Sequence, residues 1–201
     1  MPPVLSFTVA GSGPPVVILH GLFGSAVNWR RIADTLGHRW QVFSPDLPNH
    51  GDSPWTDDMS YPAQAKALAS FISGHVPDNP MIIGHSMGGK VAMALALEGG
   101  ISLARLVVVD IAPVAYPHSH RSLVASMKAL DLAALRNRRD AERALESDIP
   151  DKAFRQFLLQ NLRSVEGGLR WRINLDVIHR QMDALTGFDI APGCSNIPAL
   201  F

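Results

Sequence analysis

The sequence predicts an α/β fold built on a mainly parallel sheet, and three observations predict it. The chain has 201 residues, the length of one ordinary domain. Its composition is 47% hydrophobic and 18% charged, on the apolar side of globular and far from disordered chains. Short apolar runs alternate with segments of helical period, the pattern of strands joined by right-handed crossovers.

Each element follows in order. Residues 4–9 alternate in polarity, residues 11–15 read as a hairpin turn, and residues 16–19 form a continuous apolar run suited to a strand buried on both faces. These first two strands are expected to pair with each other. A glycine-containing loop leads to a helix over 29–36 and a strand over 41–45. A helix over 62–74 starts from Ser60 as N-cap, because a side-chain oxygen there satisfies an orphan N–H. A strand at 81–83, a helix at 88–97 and a valine-rich strand at 106–111 complete an expected core of residues 1–113. After Pro113 the pattern changes to helical periodicity alone, in pieces at 122–135, 140–146, 151–162 and 174–185 divided by Pro150 and by Gly167 with Gly168. Residues 114–190 are therefore expected to be a helical insertion, or cap. Residues 191–201 return to the core, and the apolar stretch 197–201 begins a further strand. With little beside it, the strand at 106–111 is expected to present an unpaired edge.

Composition also narrows the partners. The 18 Lys and Arg residues equal the 18 Asp and Glu residues, so no excess positive field exists to hold DNA, RNA or an acidic membrane surface. The single cysteine, Cys194, cannot form an internal disulfide, and Met1 runs into Pro2, Pro3 and a strand-like segment rather than a secretory leader. A reducing cytoplasm is the expected compartment. No window approaches the roughly 18 continuous apolar residues of a spanning helix, so no membrane span is expected.

Gly84-His85-Ser86-Met87-Gly88 fits G-x-S-x-G between an apolar strand and a helix. A turn that tight strains the serine backbone, demands small neighbours, and lifts the Ser86 hydroxyl above the carboxyl end of the sheet, so Ser86 is the candidate nucleophile. His85 reads first as scaffold of the turn. Residues 84–90 also satisfy the G-x-x-x-x-G-K of a phosphate loop, but a hydroxyl for magnesium should follow the lysine and Val91 stands there. An acyl-transfer site needs two N–H donors for a developing oxyanion. Met87, following the nucleophile, supplies the first. The second belongs to the loop His20-Gly21-Leu22-Phe23-Gly24, where Leu22 is the first choice and Phe23 the second. Phe23 and His85, flanking donor and nucleophile, are the candidate substrate contacts, and His20 reads as an organiser of its loop. His118 with His120 lacks the further ligands a metal site needs, and neither metal nor cofactor is expected.

Together, His20-Gly21-Leu22-Phe23-Gly24, Asn49-His50-Gly51-Asp52-Ser53, the turn at 84–90 and Val108-Val109-Asp110-Ile111-Ala112-Pro113-Val114 resemble the α/β-hydrolase superfamily over nearly the whole chain. More narrowly they are similar to the YbfF-like esterase branch, as is Trp171-Arg172-Ile173-Asn174-Leu175-Asp176; Pro48 departs from the arginine usual before Asn-His-Gly. The resemblance implies a serine esterase acting on ester or thioester bonds of small acyl substrates beneath a helical cap, with Phe154, Phe157, Leu158, Trp171 and Met182 as specificity residues unless they are plain core. It points to Asp110 as the acid, and a carboxylate ending a run of valines is costly unless an imidazole partners it. The histidine of such a triad follows the last strand. His118, His120 and His179 all fall in the insertion instead, and His38, His50 and His75 read as loop or helix-end residues, so the resemblance implies a C-terminally incomplete domain. A non-catalytic binding module of the same fold, lacking the triad histidine, stays open, as does acyl transfer through the same acyl-enzyme.

Overall fold

The computed structural model describes residues 2–117 and 119–201, so His118, half of the histidine pair weighed as a metal site, lies outside the described residues. Strands β1 (Phe7–Ala10), β2 (Pro15–Leu19), β3 (Gln41–Pro45), β4 (Met81–His85) and β5 (Arg105–Val109) join a short β8 (Ala199–Leu200) in one sheet. Its order is β1-β3-β2-β4-β5-β8, and every pairing except that of β1 is parallel.

The expected pairing of the first two strands does not occur. β1 runs antiparallel to β3, with Phe7 opposite Pro45 and Ala10 opposite Val42, while β2 lies between β3 and β4. The burial explains it. Val16, Val17, Ile18 and Leu19 are all inaccessible and need strands on both sides, whereas β1 is only half-buried and suits an edge. The turn glycines serve a close approach instead: a side chain on Gly11, at φ +69°, would meet the Gly37 backbone at 2.1 Å.

Helix α1 (Ala26–Leu36) covers one face of the sheet, where Val16, Ile18 and Val42 pack with Ala33. Helices α2 (Tyr61–His75) and α3 (Met87–Glu98) cover the other, with Val17, Leu19 and Phe43 in the larger core. Ser60 caps α2 as expected, its hydroxyl accepting from the Ala63 N–H at 3.4 Å.

Between β5 and β8 the chain forms α4 (Arg121–Ala129), α5 (Arg138–Ala144), α6 (Lys152–Leu158), a 3-10 turn (Leu159–Asn161), strands β6 (Leu162–Val165) and β7 (Gly168–Trp171), then α7 (Leu175–Arg180) and α8 (Met182–Thr186). The expectation of helices alone is thus corrected by a hairpin, with Leu162 opposite Trp171 and Val165 opposite Gly168. Gly167 (φ +88°) and Gly168 (φ +145°) shape its turn, and Leu169 and Trp171 turn inward with period two.

Buried amides tie this insertion to the loops that follow β2 and β3. Asn174 donates from Nδ2 to Asn49 Oδ1 (2.9 Å) and from its N–H to the Asn49 carbonyl (3.0 Å), while its own Oδ1 caps α7 through the Val177 N–H. Asn161 Nδ2 donates to the Phe23 carbonyl at 2.7 Å, and Arg172 pairs with Asp52 at 2.7 Å. The expected open edge of β5 is covered in part, since Leu106 and Val107 pair with Ala199 and Leu200 of β8. Among the described residues no helix is long and apolar enough to cross a membrane.

Candidate active site

The chain leaves β4 and enters α3 through Ser86, which sits at φ 50°, ψ −119°, a strained conformation for a residue with a side chain. Its N–H donates to the Val109 carbonyl at 2.9 Å, which locks the turn to β5. The glycines on either side are steric necessities: a Cβ on Gly84 would lie 2.5 Å from the Gly88 carbonyl oxygen, and one on Gly88 would lie 2.6 Å from the His20 carbonyl oxygen.

Met87 is the first residue of α3, where a helical N–H has no partner within the helix. Leu22 lies on the loop after β2, held against the turn so closely that a Cβ on Gly21 would come 3.2 Å from Ser86 Cβ. Among the described residues neither the Leu22 nor the Met87 amide donates to a protein acceptor. The Phe23 amide is engaged, donating to His50 Nε2 at 3.4 Å with Phe23 at φ +64°. That difference separates Leu22 from Phe23.

Two buried histidines build the loop. His20 accepts the Leu47 N–H at Nε2 (2.9 Å) and donates from Nδ1 to the Gly21 carbonyl (2.9 Å). His50 donates from Nδ1 to the Pro48 carbonyl (3.0 Å), so the proline that departs from the branch contributes a backbone acceptor. Burial pushes the pKa of His20 down to about 4, with nearby His85 adding to the shift, and that of His50 down to about 3, with His20 adding. Both rings are neutral scaffolds with their nitrogens occupied. Asp46 accepts the Ala26 N–H at the start of α1 (2.7 Å) and the Asp52 N–H (2.9 Å), fixing the second loop.

Ser86, Leu22 and Met87 share the wall of a cavity of about 60 Å³ with Lys90, Tyr116 and His120. A second cleft of about 220 Å³ shares Leu22 and is lined by His85, Trp29, Ile32 and Phe157. Phe23, expected to touch substrate, is buried at 4% exposure and does not line the Ser86 cavity; its ring meets His120 edge-on at 6.1 Å between centroids. His85 faces the second cleft and packs against Trp29.

Asp110 stands at the carboxyl end of β5 at φ 58°, with Oδ2 3.9 Å from His85 Nε2. The expectation that it ends a buried run is corrected. Its side chain is 86% exposed and Val109 before it is 38% exposed, so desolvation exerts no demand for a partner there. The His179 carbonyl accepts from Arg121, and its ring does not line the Ser86 cavity. Of the suggested specificity residues, Leu158 and Met182 are core; Phe154 stacks on Phe157, which alone of these lines the second cleft.

Residues 14–167 match the profile described as the alpha/beta hydrolase fold. The chain belongs to the α/β-hydrolase family. It is similar to the sn-1-specific diacylglycerol lipase ABHD11 of Mus musculus, 41% identical over 185 residues that make up 87% of this chain and 60% of that protein. It is similar also to esterase YbfF of Escherichia coli, 35% identical over 188 residues, 93% of this chain and 72% of that protein. A solved structure described as a marine microorganism esterase superposes with a TM-score of 0.94 at 38% identity, covering 99% of this chain and 80% of that one. The chain spans about three-fifths of the length of the ABHD11 lipases it matches.

Within this α/β-hydrolase chain, sequence reasoning missed several parts of the Ser86 cavity. Tyr61 and Tyr116 carry no motif, and His120 reads from the sequence only as half of a thin metal pair and as a residue of the insertion. Lys90 was weighed only as a phosphate-loop lysine, yet it is 2% exposed, with its pKa pulled by burial down to about 8. The spacing of Ser86, the N-cap of α3, and Lys90, one turn into that helix, is the signal that places both on one side. Among the described residues no group of three or more His, Cys, Asp or Glu side chains is placed to hold a metal ion.

Proposed function

We propose that this chain is a serine hydrolase that cleaves carboxylic ester or thioester bonds of small acyl substrates through an acyl-enzyme on Ser86. One observation carries the reading: Ser86, strained at φ 50°, shares a cavity wall with two residues, Leu22 and Met87, whose amides have no protein acceptor among the described residues. An acyl carbonyl placed there meets a nucleophile on one side and two donors on the other. The Ser86 oxygen adds to the carbonyl carbon as its proton leaves to a base, and the N–H groups of Leu22 and Met87 hold the resulting oxyanion. Collapse of that intermediate expels the alcohol or thiol, which takes the proton, and water repeats the sequence to free the acid and the serine. Each donor contributes on the order of 2.7 to 4 kcal/mol to lowering the barrier.

In this reading Asp110 orients the imidazole that takes the proton, and the insertion is a cap that closes the site. The cavity of about 60 Å³ is small beside the several hundred Å³ of a typical ligand cleft, which suits short acyl groups. Cys194, an exposed free thiol, fits the cytoplasm as the compartment.

A second reading has its own support. His20 and His50 are occupied as scaffolds, and Asp110 faces solvent with His85 as its nearest imidazole, which favours an acyl-binding module without turnover. Of the described histidines, His120 is the one that lines the cavity with Ser86. The experiment is labelling of the chain with a fluorophosphonate probe, peptide mass mapping of the adduct, and p-nitrophenyl butyrate hydrolysis, with Ser86→Ala as control. The hydrolase reading expects an adduct on Ser86 and ester turnover lost in Ser86→Ala. Absence of an adduct rejects it, and ligand binding without turnover favours the second.

A further inference from the structure

Lys90 is a lysine at 2% exposure whose ammonium has no carboxylate partner among the described residues. Such a charge persists in a core only when its donors are fully used. An ammonium carries three donors, and here they meet three carbonyls: Val114 at 2.9 Å, Thr186 at 3.1 Å and Gly187 at 2.5 Å. Three rings surround the same atom, Tyr116 at 5.0 Å, Tyr61 at 5.6 Å and Phe188 at 6.0 Å from their centroids, and supply the negative faces that a carboxylate would otherwise provide.

The positions of those carbonyls in the chain are informative. Val114 lies where the chain leaves the core for the insertion, and Thr186 with Gly187 lies where it returns. One side chain therefore joins both ends of the insertion to each other and to α3. Neighbouring contacts follow the same line. The Tyr116 N–H donates to the Thr186 carbonyl at 3.0 Å, and the Tyr61 hydroxyl donates to the Leu185 carbonyl at 2.7 Å. Lys90 is one helical turn from Ser86, and both line the cavity of about 60 Å³. The point where the cap is tied down thus lies in the first turn of the helix that the point of attack caps.

We propose that Lys90 is the positioning residue that seats the cap over Ser86, and that by fixing both ends of the cap it sets the depth of the cleft and confines the site to short acyl groups. The chain-length part rests on the hydrolase reading above; the tether does not. The geometry makes a directional claim. Releasing the tether deepens the cleft, so longer acyl chains gain relative to short ones, whereas a loss of general structure lowers both together.

The test uses the full chain with Lys90→Met, which keeps the apolar stem and removes every donor. Two measurements are read. Hydrogen exchange at the Tyr116 amide, normalised to amides of β4, is expected to accelerate at least tenfold. The ratio of kcat/KM for p-nitrophenyl octanoate to that for the acetate is expected to rise at least tenfold, carried by KM for the octanoate. Unchanged protection of Tyr116 overturns the tether, and an unmoved or falling ratio in a folded variant overturns the size limit. Should Lys90→Met fail to fold, Lys90→Gln, with a polar head on a shorter stem, is read by the same two measurements. If the unsubstituted chain neither hydrolyses esters nor labels at Ser86, the hydrolase reading fails, and the Tyr116 amide still decides the tether.

Discussion

Lowering the pH from 7.5 to 5 should destabilise this protein through two imidazoles that are almost entirely shielded from solvent. His20 and His50 sit with ring centroids 5.1 Å apart, each using one nitrogen as acceptor for a backbone N–H and the other as donor to a carbonyl. Protonation of either would replace an acceptor with a donor facing another donor. Their folded-state pKa values, about 4 and about 3, lie below the ordinary imidazole value of 6.5 that applies once the chain unfolds. The unfolded state therefore binds more protons, and stability falls as pH falls through 6.5, continuing until near pH 4, where the folded state begins to take up its own. At pH 5 an unfolded imidazole of ordinary pKa favours unfolding by about 2 kcal/mol, so the pair removes about 4 kcal/mol, a large share of a typical total of 5–15 kcal/mol. Urea denaturation at pH 7.5, 6.5, 5.5 and 5.0 measures the loss. His50→Gln isolates one member: it starts less stable at pH 7.5, but its dependence on pH is shallower by about one proton, or about 1.4 kcal/mol per pH unit. An equal slope in the folded variant and the parent, or imidazole NMR signals from both rings titrating near pH 6.5 in the native state, would refute the reasoning.

Two further outcomes follow from the loops around Ser86. Gly88→Ala places a Cβ 2.6 Å from the His20 carbonyl and 2.7 Å from Leu19 Cβ, with no flexible side-chain end to yield; a loss of about 1–3 kcal/mol or more is expected in urea denaturation, and wild-type stability would show the packing argument wrong. Asn174→Ala removes the bond to the buried Asn49 Oδ1 and the cap of α7. It is expected to cost about 1–3 kcal/mol and to raise hydrogen exchange in α7 before β4, an order that a merely global destabilisation would not produce.

The core was legible wherever local chemistry and global packing asked for the same thing. Val16 to Leu19 reads as a central strand because no other placement buries four successive apolar side chains, and the structure gives that run a parallel strand on each side. The partner of β1 was not legible. Gly11 and Gly13 are as useful for letting a chain pass close to Gly37 and Arg39 as for closing a hairpin, and only the position of α1 distinguishes the two. The same ambiguity hid β6 and β7, since a pair of glycines marks equally well a break between helices and a hairpin turn. Asp110 shows a different limit. Its place after three valines suggested burial, yet burial depends on what stands beside a strand, and β8 reaches only Leu106 and Val107.

Lys90 exposes the sharpest limit, because its motif was read and its role was still missed. Val91 argues against a phosphate loop, and no other local motif assigns the lysine a use. The physical question that remained was where a cation goes when it lies one turn into a helix whose neighbours Val91, Ala92 and Ala94 are all inaccessible. A buried helix offers an ammonium no carbonyls of its own, since those are spent on the i+4 amides. The acceptors have to come from chain ends that are not yet paired, and the insertion supplies such ends where it leaves and rejoins the core. A buried donor must be satisfied, so a lysine at this position already implies acceptors brought in from elsewhere in the chain. Nothing in the residues around Val114, or around Thr186 and Gly187 some 72 positions later, announces that these three carbonyls face the same ammonium.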